Sequence, residues 1–177
     1  MEKHGFNLPL ILTQFLADHF PDKESRSSLS VYEAGVGTGR LAEVMVKAGF
    51  SNISGIEPCE AMIKEAEKKK LYSTLKVRYC GTGDLEEEWK GKFDIAAGCG
   101  IFMGNCAPPK GMDELLDAVK KGGVVVFSSR EDEWVELGYK DKAESLEKEG
   151  KWKLEKEVYD LDSAVGKRYV CSCFMKL

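Results

Sequence analysis

Apolar residues recur along the chain in two alternating patterns, which predict helices and strands in turn. Helical spacing predicts a first helix over residues 8–20, further helices over 40–49, 58–70 and 111–121, and a charged helix over 140–149. Short apolar runs predict five strands, over 31–34, 52–57, 75–80, 93–98 and 124–129. Residues 22–30, which follow Pro21, are predicted to be an exposed linker.

The strict alternation of strand and helix determines the predicted fold. Such alternation is typical of a parallel sheet with helices on both faces. Two later apolar runs, over 152–159 and 168–175, are close enough in sequence to pair as an antiparallel hairpin. We therefore predict an α/β, Rossmann-like, doubly wound sheet of seven mostly parallel strands with a C-terminal antiparallel hairpin, in one domain over residues 1–177.

Composition and charge narrow the class of protein. The chain has 43% hydrophobic and 32% charged residues, which is an ordinary globular balance. A net charge of -4 gives no support to nucleic-acid binding, which depends on clustered Lys and Arg. No apolar run approaches the roughly 20 residues that span a bilayer. We expect a protein of the cytoplasm or nucleus, without a membrane anchor.

The six cysteines favour packing over metal binding. They include no C-x-x-C pair, and both histidines are far from them in sequence, so no metal site is predicted. Cys171 and Cys173 would share one face of a strand. Free thiols also fit a reducing compartment.

The stretch VYEAGVGTG, residues 31–39, is the first with a chemical signature. Three glycines, Gly35, Gly37 and Gly39, separate a strand from a helix, and glycine lets the backbone turn sharply and a ligand approach closely. Glu57 ends the second strand 22 positions after Gly35, near the separation of about 20 at which an acid meets a ribose diol. Alternatively, Glu57 caps the following helix, whose first turn would include Pro58.

Two further strand ends carry candidate site residues. Asp84 after the third strand suits an adenine amine, with Leu85 over the ring, although an Asp in a glycine-rich turn is also common. Cys99 and Gly100 after the fourth strand leave room for a ligand or for close helix packing. The loops after strands four and five open on the same edge, and their candidate substrate contacts are Phe102, Asn105, Cys106, Arg130, Glu131 and Trp134.

The segments VYEAGVGTGRLAEVMVKAGF, ISGIEPCEAM, GTGDL, FDIAAGCGIF and VKKGGVVVFSS, in this order and spacing, resemble the motifs of class I S-adenosylmethionine-dependent methyltransferases. The resemblance covers residues 31–129. Within that superfamily, KLYSTLKVRYCGTGDL and YKDKAESLEKEGKWKLEKEV are most similar to the Williams-Beuren syndrome region methyltransferase-like proteins. The resemblance implies methyl transfer from S-adenosylmethionine, with S-adenosylhomocysteine as product, to a small-molecule or protein acceptor.

The resemblance also implies a role for each matching residue. The three glycines would pass under the methionine part of the cofactor, with Glu33 near its amino group, and Glu57 would bind the ribose. Met62, Asp84 and Leu85 would lie around the adenine, and Cys99 with Gly100 would border the sulfonium. The full predicted cofactor set is Glu33, Gly35, Gly37, Gly39, Glu57, Pro58, Met62, Gly83, Asp84, Leu85, Cys99 and Gly100.

Residues 31–129 are thus the expected cofactor-binding half, after an N-terminal helix and linker (1–30), and residues 130–177 the substrate-side half. Two departures from the family pattern stand out. Glu33 occupies a position where Asp is more usual, and relatives usually have a longer N-terminal segment over the substrate, which leaves substrate capture open.

Two alternative functions remain at this stage. Methyl transfer needs an aligned acceptor and exclusion of water more than a dedicated side chain, so the sequence assigns no catalytic residue. A non-catalytic binding protein of the same fold is therefore one alternative. A nicotinamide-dependent oxidoreductase is the other, but Arg40 stands where its Gly-x-Gly-x-x-Gly motif has the third glycine.

Overall fold

A sheet of seven strands forms the centre of the computed structural model, which describes residues 7–83, 85–104, 106–162 and 166–177 (the backbone alone at 160–162). The strand order is β3-β2-β1-β4-β5-β7-β6. The strands are β1 (Ser30–Ala34), β2 (Asn52–Glu57), β3 (Tyr72–Val77), β4 (Phe93–Phe102), β5 (Val119–Arg130), β6 (Trp152–Asp162) and β7 (Lys167–Lys176). The first five are parallel, and β7 pairs antiparallel with both β5 and β6. The predicted fold class is confirmed.

Helices cover both faces of the sheet. They are α1 (Leu8–His19), α2 (Arg40–Lys47), α3 (Glu60–Lys68), α4 (Gly111–Ala118), α5 (Glu131–Glu136) and α6 (Tyr139–Lys148). On β5, Val124 and Val126 pack into the core shared with α1 and α2, whereas Val125 and Phe127 pack into the core shared with α4 and α6. This two-sided burial explains the unbroken apolar run of β5. Within the described ranges, no helix has the length and apolarity to cross a membrane.

Several element boundaries differ from the sequence prediction; β4, for example, continues to Phe102, so Cys99 and Gly100 lie within this strand and not after it. β3 begins at Tyr72, three residues early, because it pairs with β2 from Ile53 to Glu57. α4 ends at Ala118, since Val119 already pairs with Phe93 at the start of β5. α3 begins at Glu60, so Pro58 precedes the N-cap and is not part of the first helical turn. Helix α5 was not predicted at all.

The predicted exposed linker contains a buried arginine. Residues 25–28 form a 3-10 turn, and Arg26 is only 8% exposed. Its guanidinium donates hydrogen bonds to the carbonyl oxygens of Ala17, Phe20 and Ala48, at the ends of α1 and α2. Since those carbonyls have no partner within their helices, Arg26 joins the two helix ends and orders the segment between them.

The strand order places the ligand-binding edge between β1 and β4. From β1 the chain adds β2 and β3 on one side, and then β4 and β5 on the other. At such a switch point, the loops that follow the two neighbouring strands diverge and leave a crevice at their carboxyl ends. The loops after β1 and β4 therefore frame the candidate site.

Candidate functional site

The glycine turn between β1 and α2 has the backbone that its sequence predicts. Gly35, Gly37 and Gly39 have φ angles of +70°, +56° and +82°, a region that side chains other than glycine's rarely adopt. A Cβ at Gly35 would lie 2.4 Å from Cγ2 of Ile101, so close packing requires glycine there. A Cβ at Gly37 would meet nothing within 4 Å. The turn is thus open at Gly37, where a ligand can reach the backbone.

Glu57 connects the glycine turn to α3. Its Oε2 accepts a hydrogen bond from the Gly37 amide at 2.9 Å, and its Oε1 accepts one from the Cys59 amide, the N-cap of α3, at 3.0 Å. The side chain is 7% exposed. The structure therefore contains the capping contact that was the alternative for Glu57. Each carboxylate oxygen keeps a lone pair for a further donor.

Glu33 is buried at the end of β1. It is 1% exposed, and its Oε2 accepts a hydrogen bond from the Tyr72 hydroxyl at 2.9 Å. Burial raises the pKa of Glu33 to about 8, the charge of Glu57 acts in the same direction, and the Tyr72 hydrogen bond opposes them. The charge of the Glu33 carboxyl near neutral pH therefore depends on the polar and charged groups that contact it.

Two adjoining cavities run along the carboxyl edge of the sheet. The smaller cavity, about 130 Å³, is lined by Pro9, Glu33, Gly35, Val36, Gly37, Thr38, Arg40, Leu41 and Cys99. The larger cavity, about 260 Å³, is lined by Gly35, Glu57, Pro58, Tyr79, Cys80, Cys99, Gly100, Ile101, Cys106 and Ala107. Gly35 and Cys99 belong to both linings, so the two cavities meet at the switch point between β1 and β4.

Most of the predicted cofactor residues are brought together by these two cavities. Seven line one or both: Glu33, Gly35, Gly37, Glu57, Pro58, Cys99 and Gly100. Gly39 precedes α2 as its N-cap. Met62 is 44% exposed and is not part of either lining. Gly83 and Leu85 line a separate cavity of about 90 Å³, and Asp84 lies outside the described residues.

The predicted substrate contacts include one residue that lines the larger cavity and others that do not. Cys106 lines the larger cavity, whereas Phe102 and Trp134 are 0% and 3% exposed and belong to the apolar core. Those two side chains are therefore core residues and not surface contacts of the loops. Arg130 forms an ion pair with Glu133 in α5, at 3.0 Å. Asn105 lies outside the described residues.

Sequence reasoning missed Tyr79, Cys80, Ile101 and Ala107 in the larger cavity. Tyr79 and Cys80 were assigned to the end of the third strand, but β3 ends at Val77, so they follow the strand and reach the cavity. Tyr79 is 59% exposed. An aromatic side chain two residues after a strand end would have been the signal, had the strand boundary been correct.

A buried ionic cluster holds the loop that carries Tyr79 and Cys80. Glu114 in α4 is 4% exposed, and both its carboxylate oxygens accept hydrogen bonds from Arg78, at 2.7 and 3.1 Å. The Tyr32 hydroxyl and the Gly81 amide also donate to Glu114. The loop after β3 is thus fixed to β1 and α4 through a bidentate arginine pair.

The thiols around the larger cavity are in the neutral form at pH 7. Burial raises the pKa of Cys99 to about 12 and also raises the pKa of Cys80 and Cys106. A protonated thiol is a poor nucleophile, so the arrangement is suited to binding and aligning a ligand. Within the described residues, no group of three or more His, Cys, Asp or Glu side chains is placed to hold a metal ion.

Comparisons of the sequence and of the fold with known proteins both match this chain to methyltransferases. A human protein, methyltransferase-like protein 27, is 27% identical over 129 residues, which are 71% of this chain and 51% of the human protein. The chain thus spans about half the length of that curated relative. Magnesium protoporphyrin IX methyltransferase from Synechocystis PCC 6803, solved with bound SAM, superposes with a TM-score of 0.71 at 14% identity, over 97% of this chain and 78% of that one.

A second solved structure has the same fold. Ribosomal protein L11 methylase from Lactobacillus delbrueckii subsp. bulgaricus has a TM-score of 0.69 at 16% identity, over 97% of this chain and 80% of that one. The model of the methyltransferase domain family matches residues 31–123, which are more than half of the chain and include β1 to β4 with the glycine turn. The chain therefore belongs to the methyltransferase domain family.

Proposed function

We propose that the chain is an S-adenosylmethionine-dependent methyltransferase that transfers a methyl group to a small-molecule or protein acceptor. The observation that carries the proposal is the meeting of the two cavities at Gly35 and Cys99. An elongated ligand with an amino-acid end and a nucleoside end would lie along them, bent around the glycine turn. Its methionine part would occupy the smaller cavity and its adenosine part the larger one.

The polar groups of each cavity fit the corresponding part of that cofactor. Glu33 lines the smaller cavity, where it would accept hydrogen bonds from the ammonium group. Glu57 lines the larger cavity, with a lone pair on each oxygen for the ribose hydroxyls. A Cβ at Gly37 would occupy open space beside the smaller cavity, so the absent side chain provides room for the ligand.

Tyr79 adds an aromatic face at the larger cavity, where an adenine ring would stack. Gly39, Met62, Gly83, Asp84 and Leu85 stay part of the proposed cofactor set on the resemblance alone. The residues that line the two cavities carry the proposal.

Methyl transfer requires mainly that the protein align the acceptor with the methyl group and exclude water. When bound, the cofactor supplies a methyl group on a sulfonium, which is already activated for in-line displacement. Cys99 and Gly100 border the meeting point of the cavities, and Ile101 and Ala107 give the larger cavity an apolar wall that excludes water. Since the Cys99 thiol stays protonated at pH 7, it does not compete with the acceptor for the methyl group.

Three finer points belong to the same proposal. We place the chain near the Williams-Beuren syndrome region methyltransferase-like proteins within the family. We assign residues 31–129 to cofactor binding and residues 130–177 to the substrate side. We also propose a location in the cytoplasm or nucleus, which the thiol form of Cys59, Cys80, Cys99, Cys106 and Cys173 supports.

Calorimetric titration with S-adenosylmethionine, S-adenosylhomocysteine and NADH in parallel tests this function. We expect saturable binding of the two sulfur compounds and none of NADH. Binding of NADH alone would show an oxidoreductase instead. Absence of binding by all three ligands would reject the cofactor site and leave a partner-binding protein of this fold.

A further inference from the structure

Tyr72 reaches Glu33 across an intervening strand. Tyr72 is the first residue of the edge strand β3, and Glu33 lies on β1, with β2 between them. The β2 residue paired with Glu33 is Gly55, where an added Cβ would lie 3.5 Å from Cε1 of Tyr72 and 2.4 Å from Cγ2 of Val36. The missing side chain of Gly55 leaves the path along which the Tyr72 hydroxyl reaches the carboxyl.

The tyrosine is itself held in place at the rim of the glycine turn. A Cβ at Gly39 would lie 3.4 Å from the Tyr72 hydroxyl oxygen, so the turn packs directly against the ring. Glu43 in α2 and Lys69 after α3 form an ion pair of 2.9 Å beside the same turn. Tyr72 is thus partly buried, with its ring beside Gly39 and Gly55, and its hydroxyl donates to Glu33.

Glu33 is surrounded by titratable groups from several elements. They are the Tyr72 hydroxyl from β3, the Glu57 carboxylate from β2, the Cys99 thiol from β4 and the Arg40 guanidinium from α2, which lines the same smaller cavity. Tyr72 and Cys99 stay protonated at neutral pH, because burial raises the pKa of both groups. Glu33 is therefore the group whose charge can change when a cation enters the smaller cavity.

We propose that Tyr72 is a positioning residue that orients the buried Glu33 carboxyl toward the smaller cavity, so that arrival of the cofactor's α-ammonium group releases a proton from Glu33. This inference rests on the proposed cofactor site and adds to it a proton-linked step. Before binding, the carboxyl holds a proton; after binding, the carboxylate faces the ammonium, and the proton has passed to solvent. No bond other than the O–H bond of Glu33 is broken.

The electrostatics of the smaller cavity support release of a proton from Glu33 when the ammonium group binds. Burial raises the pKa of Glu33 to about 8, so the carboxyl is mostly protonated at pH 7 in the absence of a ligand. An ammonium within hydrogen-bond distance favours the carboxylate and lowers that pKa. Ligands without an ammonium group provide no such charge and should bind without proton release.

Calorimetry with two ligands separates the inference from the proposed function. S-adenosylhomocysteine contains the ammonium, whereas 5′-methylthioadenosine has the same nucleoside and sulfur but lacks the amino-acid end. Titrations at pH 7 in phosphate and in Tris, whose ionisation enthalpies differ, report protons released on binding. We expect about one proton for S-adenosylhomocysteine and none for 5′-methylthioadenosine.

Two variants test whether the released proton comes from Glu33 and whether Tyr72 positions the Glu33 carboxyl. Glu33→Gln should bind S-adenosylhomocysteine without proton release. Tyr72→Phe removes only the hydroxyl; affinity for S-adenosylhomocysteine at pH 7 should fall by about 2- to 10-fold, with binding shifted to higher pH, while affinity for 5′-methylthioadenosine stays unchanged. Tyr159→Phe is the matched control. The exposed Tyr159 hydroxyl donates a hydrogen bond to Glu157 on β6, the edge strand far from the site, so this variant should behave as wild type.

The possible results are distinct. Binding of both ligands with no buffer dependence would overturn the inference while the proposed function stands. Equal loss of both ligands in Tyr72→Phe would show a merely structural role for the hydroxyl and would also overturn it. If neither ligand binds the wild-type protein, the proposed function fails and the inference fails with it.

Discussion

Two buried glutamates lie near opposite ends of the candidate site, and their environments differ. Glu114 in α4 is 4% exposed and accepts hydrogen bonds from Arg78, Tyr32 and the Gly81 amide. Glu33 at the end of β1 is 1% exposed, accepts from the Tyr72 hydroxyl and lines the smaller cavity. Both carboxyls are hidden from solvent and both line a cavity, Glu33 the smaller cavity and Glu114 the separate one of about 90 Å³, but both oxygens of Glu114 already accept hydrogen bonds from protein donors.

The difference separates a structural role from a binding role. A buried carboxylate that is paired with a guanidinium and a backbone amide has its charge and lone pairs satisfied by the protein. A buried carboxyl beside a cavity keeps acceptor capacity for a ligand. Glu114 therefore fixes the loop after β3, whereas the environment of Glu33 supports its proposed binding role, and four variants test these two regions of the molecule.

The largest effect is expected from Glu114→Ala. Removal of the carboxylate leaves the Arg78 guanidinium without its bidentate partner and the partly buried Gly81 amide without its acceptor. We expect the free energy of unfolding to fall by about 3–5 kcal/mol, measured by urea denaturation. Asp113→Ala is the control on the same helix; its ion pair with Lys142 is partly exposed, and its loss should cost under about 1 kcal/mol. Equal losses in both variants would contradict a special role for Glu114.

Gly37→Val should abolish cofactor binding with a smaller effect on stability. The new side chain would fill open space beside the smaller cavity, and we expect affinity for S-adenosylhomocysteine to fall by at least ~100-fold, or about 2.7 kcal/mol. Gly91→Val is a close control, because Gly91 has a φ of +62° and open space around it, but precedes β4 at the opposite edge of the sheet. It should show the same backbone strain and bind normally. Normal binding by Gly37→Val would remove the glycine turn from the site.

The glycine turn and the loop after β3 also differ in how well the sequence predicted them. The glycine turn was predictable because its requirements are local: a strand, three glycines at fixed spacing and a helix. The alternation of strands and helices likewise predicted the sheet and its antiparallel hairpin. The loop after β3 was misassigned because its position depends on Glu114, a residue 36 positions after Arg78 that only the folded chain brings close.

The same reasoning explains the errors at single residues. Phe102 and Trp134 follow or end strands, as site residues do, but the sequence does not show that α4 to α6 cover this face of the sheet and bury both rings. Arg26 was assigned to an exposed linker because charge in a polar segment usually indicates solvent. Its three carbonyl partners lie at the ends of two different helices, α1 and α2, which only the folded chain brings together around Arg26.

Glu57→Ala tests the link between the turn and the ribose. The Gly37 and Cys59 amides would lose their acceptor, and the ribose hydroxyls of the cofactor would be left unpaired. We expect calorimetry to show a loss of about 1–3 kcal/mol in binding of S-adenosylhomocysteine. Glu60→Ala, which removes an exposed carboxylate in the first turn of α3, should leave affinity unchanged. If the two variants bind alike, Glu57 acts as a helix cap alone.

The last prediction concerns the pH dependence that Glu33 gives to stability, which is small for each pH unit. Its folded pKa of about 8 lies above the unfolded value of roughly 4.3, so between these pH values the folded chain holds a proton that the unfolded chain has lost. Stability contributed by the neutral carboxyl is present below pH 4.3 and is lost as the pH rises toward 8, by at most about 1.4 kcal/mol per pH unit. Glu33→Gln does not titrate, so its stability relative to wild type should rise over this window in urea denaturation. Glu60→Gln, at an exposed position, should follow the wild-type curve. Parallel curves for Glu33→Gln and wild type would show that Glu33 is already ionised in the folded protein and would contradict the raised pKa.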